Sequence, residues 1–80
     1  MEVEIVMPQL GQEMTRGIIL EWYKKEGDRV DIGETLFLVD TEKVNIDVDS
    51  EVAGTLKKIL VGEKGKADVG QVIAILETEG

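Results

Sequence analysis

Neither cysteine nor histidine occurs anywhere in the sequence. Without cysteine there is no disulfide framework, no thiolate metal site and no thiol nucleophile, and the redox compartment stays open. Without histidine the chain lacks the usual near-neutral general base and the commonest metal ligand. Ser50 is the sole serine and has no basic partner of the kind a nucleophile needs. These gaps argue against an enzyme acting alone. The expectation is a chain with no catalytic residue and no metal. Aromatics are nearly as scarce, with only Trp22, Tyr23 and Phe37. Pro8 is the only proline, and no Pro/Ala-rich or Gly/Ser-rich linker is present. No apolar stretch approaches the roughly 18 residues of a membrane span, and the start Met1-Glu2-Val3-Glu4 lacks a basic region. Basic side chains are in deficit, 9 against 17 acidic ones, for a formal charge of −8. Nucleic acid and anionic membrane are therefore poor partners, since both are bound through Lys and Arg, and a partner with a basic face is favoured.

What remains is a strand-forming chain. Its core must come from ten Val, eight Ile and seven Leu, a β-branched majority. At 80 residues it makes one domain, 1–80, which buries only about 60–65% of its unfolded surface and leaves little room for a catalytic cavity. Val3, Ile5 and Met7 alternate with Glu2, Glu4 and Val6, a first strand ended by Pro8. Gln9 to Arg16 reads as a loop around Gly11. A second strand covers Ile18 to Lys24, followed by a turn at Lys25-Glu26-Gly27-Asp28 and a brief Arg29-Val30-Asp31-Ile32 segment. Leu36 to Val39 is a short apolar strand, and Val44, Ile46 and Val48 alternate with Asn45, Asp47 and Asp49 in the next.

The second half repeats the first at an offset of 37 residues. Gly17 falls on Gly54, Glu26 on Glu63, Asp31-Ile32-Gly33 on Asp68-Val69-Gly70, and Leu36 to Asp40 on Ile73 to Glu77. The fold class that follows is all-β: a flattened barrel or sandwich of two four-stranded antiparallel sheets with a quasi-two-fold internal repeat. Strict alternation breaks at matching places, Ile19 to Trp22 and Leu56 to Ile59, which predicts a bulge in each half. Trp22 is expected in the core and Tyr23 at the surface. Glycines 17, 27, 33, 54, 65 and 70 are read as turns and bulges, because no phosphate-loop pattern precedes a helix. Lys43 falls at the reversal between two strands, where ladder hydrogen bonds lift it clear of the domain. Its counterpart at the same offset is Gly80, which predicts that the lysine and the two termini occupy opposite ends. Taken alone, a turn lysine is ordinarily solvated and silent. The carboxylates Asp40, Glu42, Asp47, Asp49 and Glu51 lack calcium-loop spacing and read as a solvated, partner-facing surface.

The runs Met7-Pro8-Gln9-Leu10-Gly11-Gln12-Glu13-Met14-Thr15-Arg16-Gly17, Lys24-Lys25-Glu26-Gly27-Asp28, Asp40-Thr41-Glu42-Lys43-Val44 and Val52-Ala53-Gly54 resemble, in order, the lipoyl domains of 2-oxo-acid dehydrogenase complexes. The opening looks most like the acyltransferases of the pyruvate and acetoin systems. The resemblance implies covalent lipoate on Lys43, recognition through Asp40, Glu42 and Val44 beside it, and a recognition loop of Gly11, Gln12, Glu13, Met14 and Thr15. It also implies a set of partners: a lipoate ligase or lipoyl/octanoyl transferase, a thiamine-diphosphate-dependent 2-oxo-acid decarboxylase, the acyltransferase core and dihydrolipoamide dehydrogenase. The expected role is a monomeric carrier domain that ferries acyl groups and reducing equivalents, in the cytoplasm or, for a eukaryotic source, the mitochondrial matrix. Glu42 and Val44 depart from the family's usual Asp and Ala, and prolines common in the family are missing around Asp49-Ser50-Glu51. The rival readings are a biotin carrier, in which methionines flank the lysine, a glycine-cleavage carrier, which has extra helices, and an unmodified structural hairpin domain.

Overall fold

The computed structural model describes residues 1–78 as eight strands and no helix. They are β1 (Glu2–Val6), β2 (Arg16–Trp22), β3 (Arg29–Val30), β4 (Thr35–Asp40), β5 (Asn45–Asp49), β6 (Gly54–Ile59), β7 (Lys66–Asp68) and β8 (Val72–Glu77). One four-stranded sheet has the order β1-β8-β6-β3 and the other β5-β4-β2-β7, with every pairing antiparallel. Exchanging β1 with β5, β8 with β4, β6 with β2 and β3 with β7 turns one sheet into the other. The two-fold repeat read from the sequence is thus the symmetry of the fold. Each sheet takes two strands from each half, so the halves interlock. The β1, β2 and β5 boundaries lie one or two residues from those read in the sequence: β1 stops at Val6, β2 begins at Arg16 and β5 begins at Asn45.

Both expected bulges are present. The β2/β4 register shifts between Ile19 and Glu21, and the β6/β8 register shifts between Leu56 and Lys58, 37 residues on. A second matched pair shifts the β4/β5 register between Thr35 and Phe37 and the β1/β8 register between Ile5 and Val6, skipping Leu36 and Ile73. The extra residue turns two successive side chains inward, so Leu36 and Phe37 are both buried, as are Ile73 and Ala74. Met7, Ile19, Val39, Leu56 and Leu76 complete the middle of the core at zero exposure. Trp22 sits half-buried at its rim, its ring centroid 4.8 Å from that of Phe37 and its indole N–H donating to the Val61 carbonyl at 2.9 Å. Tyr23 is exposed.

The turns are stitched by the same two-fold rule. The Ile59 N–H donates to a Glu26 carboxylate oxygen at 2.8 Å, and the Trp22 N–H to one of Glu63 at 3.2 Å. Gly27 N–H reaches the Leu56 carbonyl and Lys64 N–H that of Ile19, at 2.7 and 2.6 Å. Gly27, Gly33 and Gly70 do occupy turns with positive φ. Gly17 and Gly54 do not: they lie inside β2 and β6, where glycine answers to the closeness of neighbouring atoms.

One ion pair braces the turn into β4. Lys24 Nζ lies 2.7 Å from Glu34 Oε2, and Glu34 Oε1 accepts the Asp31 N–H at 2.7 Å. The Lys24 ammonium, then the Asp31 amide, hold the Glu34 carboxyl below its ordinary value of 4.5, while the same hydrogen bond raises Lys24 above 10.5. The depressed carboxyl stabilises the fold above about pH 4.5 and stops doing so as pH falls through its folded pKa. The raised ammonium stabilises it below about pH 10.5 and stops doing so as pH rises through its folded pKa. The difference in thermal midpoint between the wild type and Glu34→Gln, followed by circular dichroism, is therefore expected to be present at about pH 7 and to shrink as pH falls below about 4.5. A gap of constant size through that range would remove the pair from the account.

Candidate functional site

At the tip of the β4–β5 hairpin, Glu42 and Lys43 project between Thr41 and Val44, and all but Thr41 are exposed. Four hydrogen bonds shape the reversal. The Thr41 N–H and the Thr41 hydroxyl both donate to the Val44 carbonyl, at 3.0 and 2.9 Å, and the Val44 N–H approaches the same hydroxyl at 3.4 Å. Asp40 Oδ1 accepts the Glu42 N–H at 2.9 Å. Glu42 itself has φ 78°, a left-handed conformation that costs a non-glycine residue roughly 1–3 kcal/mol. Net contributions of about 0.5–1.5 kcal/mol from each hydrogen bond can offset that strain. The turn is thus held by its flanks, while neither the Lys43 amide nor its ammonium has a partner among the described residues.

The loop after β1 closes on this tip. Gly11, Gln12, Glu13, Met14, Thr15 and Arg16 face Thr41, Glu42 and Lys43 across a cleft of about 450 Å³. Met14 fastens the loop: its sulfur accepts the Leu10 N–H at 3.3 Å, its own N–H donates to the Gly11 carbonyl at 3.2 Å, and its methyl packs over Gly17. The offset between equivalent residues is 43 from β1 to β5 but 37 from β2 to β6. The six-residue difference is this loop, so the departure from two-fold symmetry is confined to the end that carries Lys43.

The structure therefore brings together Lys43, Glu42 and the whole loop from Gly11 to Thr15. Val44, 56% exposed, lies beside the cleft without lining it. Asp40 is half-buried and turned into the hairpin, where its carboxylate shapes the backbone. Two residues were not assigned from the sequence, Arg16 at the cleft and Thr41 at the base of the turn. A threonine hydroxyl two residues before the tip, able to close a local turn, was the available signal for the second.

A second Glu-Lys pair tests how distinctive the tip is. Glu63-Lys64 also occupies a turn, with Lys64 at φ 67°. There the Lys64 amide is tied to Ile19 and the Glu63 carboxylate to Trp22, so the turn lies against the sheet. Lys43 alone of the two stands on a free hairpin tip facing an open cleft. An exposed lysine is almost wholly charged at neutral pH and is a poor nucleophile unaided, so the arrangement suits attachment by another enzyme.

At the far end of β1, Met1 and Thr78 lie side by side, with Met1 N donating to the Thr78 carbonyl at 3.0 Å and Thr78 N–H to the Met1 carbonyl at 2.8 Å. The loop at the other end of β1 is the one that faces Lys43, so these residues and the lysine occupy opposite ends of the domain. Gly80, the sequence counterpart of Lys43, lies outside the described residues.

A two-fold β-barrel that offers one hairpin lysine is the architecture of a prosthetic-group attachment domain. The chain belongs to the biotin/lipoyl family, whose model, described as biotin-requiring enzyme, matches residues 3–76. Within it, this is a lipoyl domain of the acyltransferase kind, a carrier domain. It is 44% identical over 73 residues to the dihydrolipoyllysine succinyltransferase component of the 2-oxoglutarate dehydrogenase complex of Staphylococcus saprophyticus, covering 91% of this chain and 17% of that protein. It is 45% identical over 71 residues to the acetyltransferase component of the pyruvate dehydrogenase complex of Corynebacterium glutamicum, covering 89% of this chain and 10% of that one. The chain thus spans less than a fifth of the length of these relatives. The solved lipoyl domain of the Azotobacter vinelandii 2-oxoglutarate dehydrogenase complex superposes with TM-score 0.80 at 26% identity, covering 98% of this chain and 99% of that one. A long-chain acyl-CoA carboxylase at 15% identity shares the fold, with TM-score 0.81 over 99% of this chain and 7% of the carboxylase.

Proposed function

We propose that Lys43 is the covalent attachment point for lipoate, and that the domain serves a 2-oxo-acid dehydrogenase complex of the pyruvate or acetoin type. The observation that carries this reading is the free hairpin tip, an exposed lysine with no internal partner beside an open cleft. Lipoate in amide linkage supplies a disulfide ring that accepts an acyl group with two electrons and gives both up again. The chain's own contribution is presentation. Two paired strands hold the Lys43 amine away from the sheet, Thr41 and Asp40 fix the turn, and the Gly11–Arg16 loop forms the opposite wall of the cleft. Glu42 and Glu13 share that cleft with Arg16 and Lys43, so acylation of Lys43 leaves it with one net negative charge, suited to a basic partner surface. The partners are a lipoate ligase or lipoyl/octanoyl transferase, a thiamine-diphosphate-dependent decarboxylase, the acyltransferase core and dihydrolipoamide dehydrogenase. Such a carrier works through high effective concentration on a tether, without tight binding. The opening motif from Met7 to Gly17 is what supports the pyruvate assignment.

Incubation with lipoate ligase, ATP and lipoate is expected to add a single lipoyl group, mapped by peptide mass to the fragment bearing Lys43. Biotin ligase with biotin is expected to add nothing, because Glu42 and Val44 replace the methionines that flank a biotinyl lysine. A biotin increment on Lys43 would assign the chain to the carboxylase branch, and no increment from either enzyme would leave a structural hairpin. Reductive acylation of the loaded domain by pyruvate and 2-oxoglutarate decarboxylases then decides the oxo acid, with faster acylation expected from pyruvate.

A further inference from the structure

The Thr41 bonding pattern occurs twice in the molecule. Thr41 donates its N–H and its hydroxyl to one carbonyl, that of Val44. Thr78 donates its N–H and its hydroxyl to one carbonyl, that of Met1, at 2.8 and 3.0 Å. Thr78 lies 37 residues after Thr41 and Val44 lies 43 after Met1, the two offsets that relate the strands themselves. The two clasps are therefore equivalent under the two-fold axis. Only one of them closes a turn that carries a lysine.

We propose that Thr41 is the positioning residue for modification of Lys43: its hydroxyl pins both sides of the hairpin, so that the lysine is delivered to the modifying enzyme in one backbone conformation. This rests on the assignment of Lys43 as the lipoyl site. A lysine extended from a tip of two residues inherits every fluctuation of that tip, and a modifying enzyme must hold its amine in line with an activated acyl group. The tip has little else to stiffen it. Glu42 sits in the left-handed region and Lys43 makes no backbone hydrogen bond, so the threonine and the Asp40 carboxylate carry the constraint. The Thr41 hydroxyl donates to the Val44 carbonyl and takes the Val44 N–H as well, which neither valine nor alanine can do.

The matched clasp supplies its own control. Thr41→Val and Thr78→Val each remove a hydroxyl that donates to the carbonyl across the clasp, at the lysine end and at the far end, the Thr41 hydroxyl accepting the Val44 N–H besides. Both are expected to lower the thermal midpoint to a similar degree. Only Thr41→Val is expected to slow lipoyl transfer by lipoate ligase, with kcat/KM reduced about tenfold, largely through kcat. Thr41→Ser, which keeps the hydroxyl, is expected to restore transfer to within about threefold of the wild type. Labelling of the Lys43 amine by a small acylating reagent is expected to be unchanged in all three, because its exposure does not depend on the clasp. Equal transfer rates for Thr41→Val and Thr78→Val would overturn the proposal, as would failure of Thr41→Ser to restore the rate. If Thr41→Val does not fold, Thr41→Ala is compared with Thr41→Ser instead, and equal transfer in the two would overturn it too. Failure of the wild type itself to be lipoylated is a separate result that removes the underlying site assignment.

Discussion

Lys43→Arg is expected to abolish lipoyl attachment completely while leaving the thermal midpoint within about 3 °C of the wild type. The reason for the first half is chemical. Attachment needs an amine that can lose its proton and form an amide, and a guanidinium stays protonated and does not serve. The reason for the second half is the hairpin geometry. Lys43 is exposed, has no hydrogen bond or ion pair among the described residues, and does not carry the left-handed backbone angle, which falls on Glu42. Arginine keeps the charge, so the acidic surroundings see no change. Intact-mass measurement after ligase treatment checks the first expectation and thermal unfolding the second. A lipoyl group on the arginine variant, on Lys64 for instance, would show that the free tip is not what the enzyme selects. Unfolding of the variant would show that the tip lysine has a structural part the contacts do not reveal.

Gly54→Ala is expected to be among the most destabilising single-methyl additions available to this domain, while its two-fold mate Gly17→Ala is expected to be tolerated better. A Cβ at Gly54 would strike the Glu77 carbonyl oxygen, with the Glu77 carbonyl carbon at 3.0 Å and the Thr78 Cα at 3.2 Å. All three are backbone atoms of the last residue of β8 and the one after it, between β1 and β6, and they can yield only if the β6/β8 pairing opens at that end. At Gly17 the nearest atoms are Val39 Cγ1 at 2.8 Å, Met14 Cε at 2.9 Å and Met7 Sδ at 3.3 Å. Those are side-chain atoms, two of them from flexible methionines able to shift. Overpacking of a rigid neighbour costs about 3 kcal/mol, which in a domain of this size lowers the midpoint by roughly 12–24 °C. For Gly17→Ala about 1 kcal/mol is expected, together with a loosened loop because Met14 is displaced. Thermal scans of the two variants side by side decide the matter. Equal losses would show that the sheet at Gly54 is softer than its packing implies.

Much of this is legible in the sequence alone. The alternation of Val44, Ile46 and Val48 and the apolar run before Asp40 placed a reversal at Lys43, because strand periodicity survives in five residues of sequence. The 37-residue repeat gave the two sheets and their axis, since equivalent turns demand equivalent residues such as Glu26 and Glu63. The interleaving of strands from both halves was not readable, because a strand's pattern says which face is buried and not which neighbour it takes. The Leu36 and Ile73 bulges were masked by apolar runs that look alike whether one face or both are covered. The paired threonine clasps were hidden for a different reason. The six extra residues of the Gly11–Arg16 loop put Met1 and Val44 at another offset than Thr41 and Thr78, so no single shift aligns both partners.

The interlocked sheets also govern how the domain comes into being. In one sheet β8 lies between β1 and β6, and in the other β4 lies between β5 and β2. A polypeptide still emerging from the ribosome can close the hairpin that bears Lys43 as soon as β5 is made, since that pairing is local. It cannot complete the other sheet until β8 has been synthesised, because the residues of β1 wait 66 to 75 positions for their partners. Pairing of such long reach belongs with slow folders, on the order of milliseconds to seconds. The lysine turn can therefore exist before the barrel beneath it, and the carrier becomes a finished scaffold only when β8 slides home.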